Sequence, residues 1–566
     1  MKSLKILFVV LLMVISSSLV LADIRDEHYL YRVNSDNTLT IVGRIAADTS
    51  TEVVIPEMVE GMYVTNIGKG VLPARLTKVT LPKSLLILDE ISLRGLAITE
   101  IFLPKSIKFI DKTAFAGCEK LHTIIIESGS KIEFNGNPFI RLYALKNVVD
   151  ENGKVCGNED VYFHNNTVLA ARAHIVDVAV ESEYKKRLST AEVERILKDH
   201  KEYNLPTTTR MWSEHIVIPE NINGEEVKAI GSNAFYGVYD TKQIIIPETV
   251  ENIGEGAFNY CRDLLEIKVP SKIKTIAPYF CATSRKLTKV TLPEGVTTIS
   301  EFAFAGCDAL NDIVLPKTVQ IIGESAFENC ISLKSITIPE GVTTIGDNAF
   351  SGCGSLESIV IPSTVEHLGS NIFAGCTKLK KVSDEKGNLL GNSDFIVRNE
   401  TLLHYSGDSI NVIIPEEIDN TKITKIFHGA FYGNKEIKSV EIPDSIVAIG
   451  DEAFAYCTNL ESIKLSSNLT VLPTGLFGEC INLTDVTIPK GVTTIGILCF
   501  AGCKNLGKIV IPSTATKMAS NSFNHIFTNH HLSKQAVLKF VIYTTKDSVA
   551  DKYAKAYKIQ VSYLDE

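Results

Sequence analysis

No stretch of this 566-residue chain is densely basic: 57 lysines and arginines stand against 66 aspartates and glutamates, a formal net charge of -9. It therefore carries no electrostatic footprint for a nucleic acid or an anionic membrane, and no nucleic-acid partner is expected. Past the first 22 residues no apolar run approaches the roughly 20 residues that span a bilayer, so no integral membrane span is expected in the mature chain. The sequence also lacks a G-x-S-x-G elbow, a G-x-x-x-x-G-K-[ST] loop, an H-E-x-x-H motif and a G-x-G-x-x-G turn after a strand. There is no C-x-x-C pair, and His525, His530 and His531 cluster without the spacing of a zinc site. These absences nominate no catalytic residue, no metal ligand and no cofactor, and a non-enzyme is expected. With 45% hydrophobic and 22% charged residues the chain is nonetheless too apolar to be disordered.

What is present begins with an export signal. Lys2 and Lys5 precede the apolar run Ile6 to Ile15, and Val20 and Ala22 suit cleavage after Ala22. An uncleaved anchor is the competing reading, against which the shortness of the run argues.

The remainder is periodic. Prolines following an aliphatic residue stand at 270, 293, 316, 339 and 362, each 23 residues after the last. The same step runs from Pro443 through Ser466 to Pro489 and Pro512, and fourteen of the nineteen prolines occupy this slot. One unit reads A-F-x-G-C-x-x-L-x-x-I-x-I-P-x-x-V-x-x-I-G-x-x, well copied by residues 326–348. Alternation puts Ile336 and Ile338 inside and Ser335 and Thr337 outside. Pro339 ends the strand, Val342 and Ile345 start the return side, and Gly346 permits the bend. Ala349, Phe350 and Leu356 fill the middle of the next coil. Such a unit cannot bury its apolar face alone, but stacked copies build a continuous parallel sheet.

The unit resembles that of BspA-like leucine-rich-repeat proteins, over roughly residues 29 to 563. The fold class so implied is a strand-rich leucine-rich-repeat solenoid of the α/β repeat class. Its 23-residue units stack in three blocks into a curved parallel sheet, with hairpin connectors and a C-terminal cap. The connectors share one pattern, LKNVVDENGKVCGNEDVYFHNNTVL from Leu145 and LKKVSDEKGNLLGNSDFIVRNETLL from Leu379. Each predicts a turn and a hairpin, as in Phe395-Ile396-Val397 against Leu402-Leu403-His404. The expected division is a signal peptide (1–22), an N-terminal hairpin with block one (23–144) and a connector with a helical insertion (145–215). Block two (216–382), a second connector (383–411), block three (412–535) and a cap (536–566) follow. The insertion rests on Ser189 and Glu192, a capping-box pair ahead of Val193, Ile196 and Leu197. The hairpins are read as continuing one solenoid, with three jointed domains as the alternative.

Nine of the twelve cysteines share one repeat position: Cys118, Cys261, Cys307, Cys330, Cys353, Cys376, Cys457, Cys480 and Cys503. Parallel stacking at ~4.8 Å suits a disulfide poorly, so a ladder of small buried apolar residues is expected. Cys281 falls in the Phe slot and Cys499 in the Ala slot, and Cys156 aligns with Leu390. Sequons at Asn165, Asn399, Asn468 and Asn482 are possible N-glycan sites if the source is eukaryotic.

Outward strand positions supply the candidate binding face: Glu266, Lys268, Lys289, Thr291, Asp312, Val314, Ser335, Thr337, Ser358 and Val360. The mixed chemistry of this face names no ligand, although solenoid surfaces usually bind macromolecules. The resemblance implies a secreted or cell-surface adhesin that binds a protein ligand, in a host matrix or on another cell surface. A glycan-binding module and a self-assembling surface structural protein are the alternatives.

Overall fold

The computed structural model describes residues 24–564 apart from 45–49, 136–137, 140–141, 143, 146, 157–160, 165–166, 172–173, 178–207, 212–213, 223 and 524–539. The signal segment, Asn165, the helical insertion and the three clustered histidines of the sequence analysis lie outside the described residues. The chain forms two compact units, one running to Arg210 with Asn221–Ala234, the other Met211–Glu220 with Phe235 onward.

In the first unit, Tyr29–Val33 and Leu39–Arg44 form an antiparallel hairpin. Its second strand then pairs parallel with Met62–Ile67, which pairs with Ile87–Leu88, followed by Phe109–Asp111 and Glu133–Asn135. Glu100–Leu103, Thr123–Ile126 and Asn147–Val149 make a second parallel sheet. Each coil thus gives one short strand to each of two sheets, and its apolar residues, from Tyr29 to Val148, fill the space between them. The second unit repeats this plan. Gln243–Ile245, Glu266–Lys268 and Lys289–Thr291 pair in register on one side, and Thr275–Ile276 through His367–Leu368 on the other. The solenoid is strand-rich, and its coils close with short strands and tight turns; the described α-helix, Val549–Tyr557, belongs to the cap.

At 335–337 the pattern is exposed, buried, exposed, as alternation requires, with Ile336 and Ile338 inside. Gly346 does something other than permit a bend. A Cβ there would lie 2.5 Å from Glu324 N and 2.7 Å from Gly323 C, so the glycine lets one coil sit directly on the backbone of the one before it.

From residue 233 to residue 502 the turn edge of each coil holds two left-handed residues, one before the Ala slot and one before the Cys slot, such as Asn348 (φ 56°) and Gly352 (φ 73°). This alternation turns every second N–H toward the next coil. Gly256 N donates to Pro278 O (2.8 Å), Phe258 N to Phe280 O (3.0 Å) and Tyr260 N to Ala282 O (2.8 Å). The peptide groups of the turns are thereby paired although no regular strand forms there.

Inside this edge runs a spine of rings. Phe235, Phe258, Phe280, Phe304, Phe327 and Phe350 follow one another at centroid separations of 5.2–6.0 Å. Phe431 to Phe523 do the same at 4.7–6.0 Å. Between these runs the connector hairpin, Phe395–Arg398 against Thr401–Tyr405, supplies the missing rings. His404 sits edge-on to Phe373 (6.2 Å) and Tyr405 stacks on Phe431 (5.1 Å). The hairpin's second strand then pairs parallel with Lys425–Ile426 and opens the next sheet. Arg398 clasps it to the preceding coil, donating Nη2 to the carbonyls of Val365 (2.9 Å), Pro362 (3.4 Å) and Ser363 (3.5 Å).

The cap follows the expected order. Strand Val541–Thr544, helix Val549–Tyr557 and strand Gln560–Tyr563 form a parallel crossover on Lys508–Val510. Ser548 caps the helix by accepting from Asp551 N (3.1 Å), and Lys558 ends it in the left-handed region.

Candidate functional site

The strand face is built as the outward positions require. Glu266 pairs in register with Lys289 and Lys268 with Thr291; Ser335 opposes Ser358 and Thr337 opposes Val360. Asp312 and Val314 differ. Residues 311–315 form no ladder, although Ile313 and Leu315 remain buried, and Val314 is 77% exposed. The sheet expected to be continuous is therefore interrupted at this coil, while the return side stays paired through Ile321–Ile322.

The cations of the face are engaged along the solenoid axis. Lys289 Nζ lies 3.9 Å from Glu266 Oε2, and Gln243 Nε2 donates to Glu266 Oε1 at 2.6 Å. Lys268 reaches Glu248 at 2.9 Å. The Glu248 carboxyl is held down to about 2, first by the Ser271 backbone N–H and then by the Lys268 ammonium. Exposed pairs of this kind contribute little to stability, on the order of 0–1 kcal/mol. They leave the Asp312 carboxylate, hydroxyls on Thr291, Ser335, Thr337 and Ser358, and two valines, Val314 and Val360, outside these pairs.

The ladder cysteines are free and buried; Cys156, outside the ladder, is half-buried. Each ladder thiol also donates a hydrogen bond, which its reading as a small apolar residue did not include. Cys330 Sγ reaches Phe304 O (3.3 Å), Cys353 Sγ reaches Phe327 O (3.1 Å) and Cys376 Sγ reaches Phe350 O (3.2 Å), each 26 residues back, while Cys118 reaches Leu93 O, 25 back. Ser284 holds the same slot and donates Oγ to Phe258 O at 3.1 Å. Burial pushes the Cys118 thiol up to about 11 and the Cys353 thiol up to about 12, so neither forms the thiolate that would make it reactive. Among the described residues no group of three or more His, Cys, Asp or Glu side chains is arranged to hold a metal ion.

The sequon asparagines have local work. Asn399 turns the connector hairpin at φ 50°. Asn468 Nδ2 donates to Asp444 O (2.7 Å), and Asn482 belongs to an amide ladder, accepting from Asn505 (3.1 Å) and donating to Asn459 (3.4 Å).

A 23-residue unit, two parallel strands per coil and a Phe–Cys interior describe a particular kind of leucine-rich repeat. The model of the BspA-type leucine-rich-repeat region matches in six copies, over residues 51–166, 213–311, 297–396 and 403–530. The chain belongs to the BspA-type leucine-rich-repeat family. No curated protein sequence matches it. Solved structures similar to this BspA-type chain include a leucine-rich cell surface protein from Faecalibacterium prausnitzii. It is 19% identical over 93% of this chain and 98% of that one, with a TM-score of 0.34. A leucine-rich-repeat protein from Bacteroides ovatus is 25% identical over 62% of this chain and 92% of its own, with a TM-score of 0.31. The pneumococcal vaccine antigen PcpA is 15% identical over 97% and 100%, with a TM-score of 0.36. No described helix of this BspA-type chain is long and apolar enough to cross a membrane.

One surface escaped the sequence reading, the turn edge of the coils between Tyr236 and Ser325. The signal was available. Gly or Asn fills the left-handed slots of many units, so Tyr260, Tyr279 and Phe302 stand out there.

Proposed function

We propose that this BspA-type chain is a secreted or cell-surface, non-catalytic scaffold, an adhesin that binds a protein of a host matrix or of another cell through its strand face. The observation that carries the reading is the strand face itself. Its rows are held in register by the repeat, with alternate side chains exposed. A rigid, extended surface of this kind suits recognition of a macromolecule better than enclosure of a small molecule. The family and the export signal of the first 22 residues support delivery outside the cell. The three blocks and their connectors, in the division given above, are part of the same proposal.

The test is binding of residues 23–566 to an array bearing matrix proteins and glycans side by side. Saturable binding to a protein, weakened at least about tenfold by Val314→Asp together with Thr337→Asp, is the expected result. Both positions are exposed, so the substitutions leave the core intact. Binding to sugars alone, or to neither class, overturns the adhesin reading.

A further inference from the structure

We propose that the turn edge of the coils from Tyr236 to Glu324 is a second docking surface, one that takes a basic protein segment by laying its lysine and arginine side chains on exposed aromatic rings between carboxylates. This goes beyond the strand-face reading and uses a different side of the coil.

Two ring pairs mark the edge. Tyr236 and Tyr260 meet at 5.4 Å and 50°, and Tyr279 stacks on Phe302 at 4.9 Å and 2°. Tyr260 is 37% exposed and Tyr279 36%, large fractions for rings already packed on a neighbour. Along the row of the stacked pair, the coil before supplies Gly256 and the coil after Ser325. No large side chain of that row covers the outer ring faces, and an open ring face is what a guanidinium or ammonium group binds.

The charge beside the rings fixes the partner's chemistry. Tyr279 N donates to Glu301 O (3.1 Å) and Phe302 N to Glu324 O (2.8 Å). The ladder thereby places an acidic residue next to each ring, and Glu255 stands in the same row one coil before Pro278. Glu255, Glu301 and Glu324 are exposed, and none forms an ion pair with a lysine or arginine among the described residues. The nearby cations are occupied on the adjoining loop, where Lys286 holds Asp263 at 2.6 Å and Arg285 lies 3.6 Å from Asp308. Three uncompensated carboxylates repel an acidic partner. They also strengthen the pull of aromatic faces on a cation, and Tyr–Arg contacts are frequent anchors of protein interfaces.

Block three contains half of this arrangement. Tyr432 and Tyr456 repeat the tilted pair at 5.2 Å and 50°. The stacked pair has no counterpart there, since Glu452 and Gly475 stand in the row of Tyr279 and Phe302, and Asp451, in the row of Glu255, lies 3.8 Å from His428 Nδ1. The edge in block two is therefore the complete site.

The experiment uses the chain of residues 23–566 and a fluorescein-labelled octapeptide of alternating lysine and arginine, read by fluorescence anisotropy. The native chain is expected to bind it saturably, and an octapeptide of glutamate not at all. Tyr279→Gly with Phe302→Gly is expected to weaken binding at least about tenfold. Glycine suits both left-handed positions, so this variant should keep its thermal midpoint, which separates lost binding from lost folding. Glu301→Gln with Glu324→Gln should weaken binding and flatten its salt dependence. Val314→Ser with Thr337→Val, which change the strand face without changing charge, should leave the peptide affinity unchanged, so failure of the strand-face reading is distinguishable from failure here. Absence of saturable peptide binding, or affinity retained in the glycine variant, overturns the proposal.

Discussion

The regular coil at 326–348 and the junction from Phe373 to Phe431 solve the same stacking problem with different parts. In the regular coil every layer repeats: phenylalanine on phenylalanine, thiol to carbonyl, glycine against backbone. At the junction the spine is continued by His404 and Tyr405, and the coil is held by the Arg398 side chain in place of a ladder. The polar cost differs as well. His404 Nδ1 and Arg398 Nη1 are buried without a partner at the junction, and no side chain of 326–348 is in that condition. The coil at 326–348 is spared this cost by copying a solution that already works, although Asn259 Oδ1, Asn371 Oδ1 and Ser445 Oγ show that other regular coils bear it.

The largest expected effect breaks the regular side. Phe327 is fully buried between Phe304 and Phe350 at 5.5 and 5.6 Å. Phe327→Ala should cost about 3–5 kcal/mol by denaturant unfolding, because neighbours fixed at the coil spacing cannot collapse into the cavity. A loss below about 1 kcal/mol would show that the spine is a loose file of rings rather than a packed core.

The junction should respond next, and to pH. Burial pushes His404 down to about 4, with the Lys380 ammonium adding to the shift and a hydrogen bond to the Cys376 backbone opposing it. The folded chain therefore prefers neutral imidazole. Its contribution is fully present above the ordinary histidine value near 6.5 and is lost as pH falls from there toward 4, up to about 3 kcal/mol. His404→Phe removes the titrating group and restores the repeat's own residue type. Its thermal midpoint should fall less than that of the native chain between pH 7 and pH 4.5; equal falls would place the acid sensitivity elsewhere.

Much of the regular coil was legible in the sequence, and the reason is mechanical. Each slot has a fixed chemical job that recurs every 23 residues, so Ile336 and Ile338 inside and Ser335 and Thr337 outside follow from alternation alone. The connector hairpin was legible from its turn residues, but the rings it feeds into the spine were not. Nothing in the TLLHY pattern of the second strand says which side chain enters a neighbour's core. Coil 277–284 shows the same limit within the repeat. Phe280 stands in the Ala slot and Cys281 in the Phe slot, yet the ring joins the spine edge-on to both neighbours, at 74° and 71°. Volume was conserved where the pattern was not. The strand face was placed by period, at Asp312 and Val314 as well, where alternation holds although the ladder does not form.

Gly346→Ala sharpens the comparison on the side of backbone approach. The new Cβ would meet the Glu324 N of the coil before at 2.5 Å, and backbone cannot move aside as a side chain can. A loss of about 1–3 kcal/mol is expected, with hydrogen exchange rising at 323–325 as well as at 345–347. Gly433, where nothing lies within 4 Å of the added Cβ, is the control for crowding, although its φ of 71° brings strain of another kind. Faster exchange confined to the substituted coil would mean that the coils are coupled less tightly than their spacing implies.

The smallest expected effect asks what the thiol ladder contributes. Cys353 lies at the level of Phe327 O, to which its Sγ donates at 3.1 Å, and its thiol is pushed up to about 12. Were it a small apolar filler alone, Cys353→Ser would bury a hydroxyl at a cost of about 1–3 kcal/mol. The hydrogen bond changes the expectation, since a serine hydroxyl can donate to the same carbonyl, as Ser284 already does to Phe258 O. Cys353→Ser should then fall within about 1 kcal/mol of the native chain, and Cys353→Ala, which leaves that carbonyl with the Cys330 N–H (3.2 Å) as its remaining donor, should be the more damaging change. The reverse order would return the ladder to a purely apolar role. Thiol titration gives the companion measurement: the buried ladder should react only after denaturation, because a thiol held neutral beneath a stacked coil offers neither a thiolate nor access.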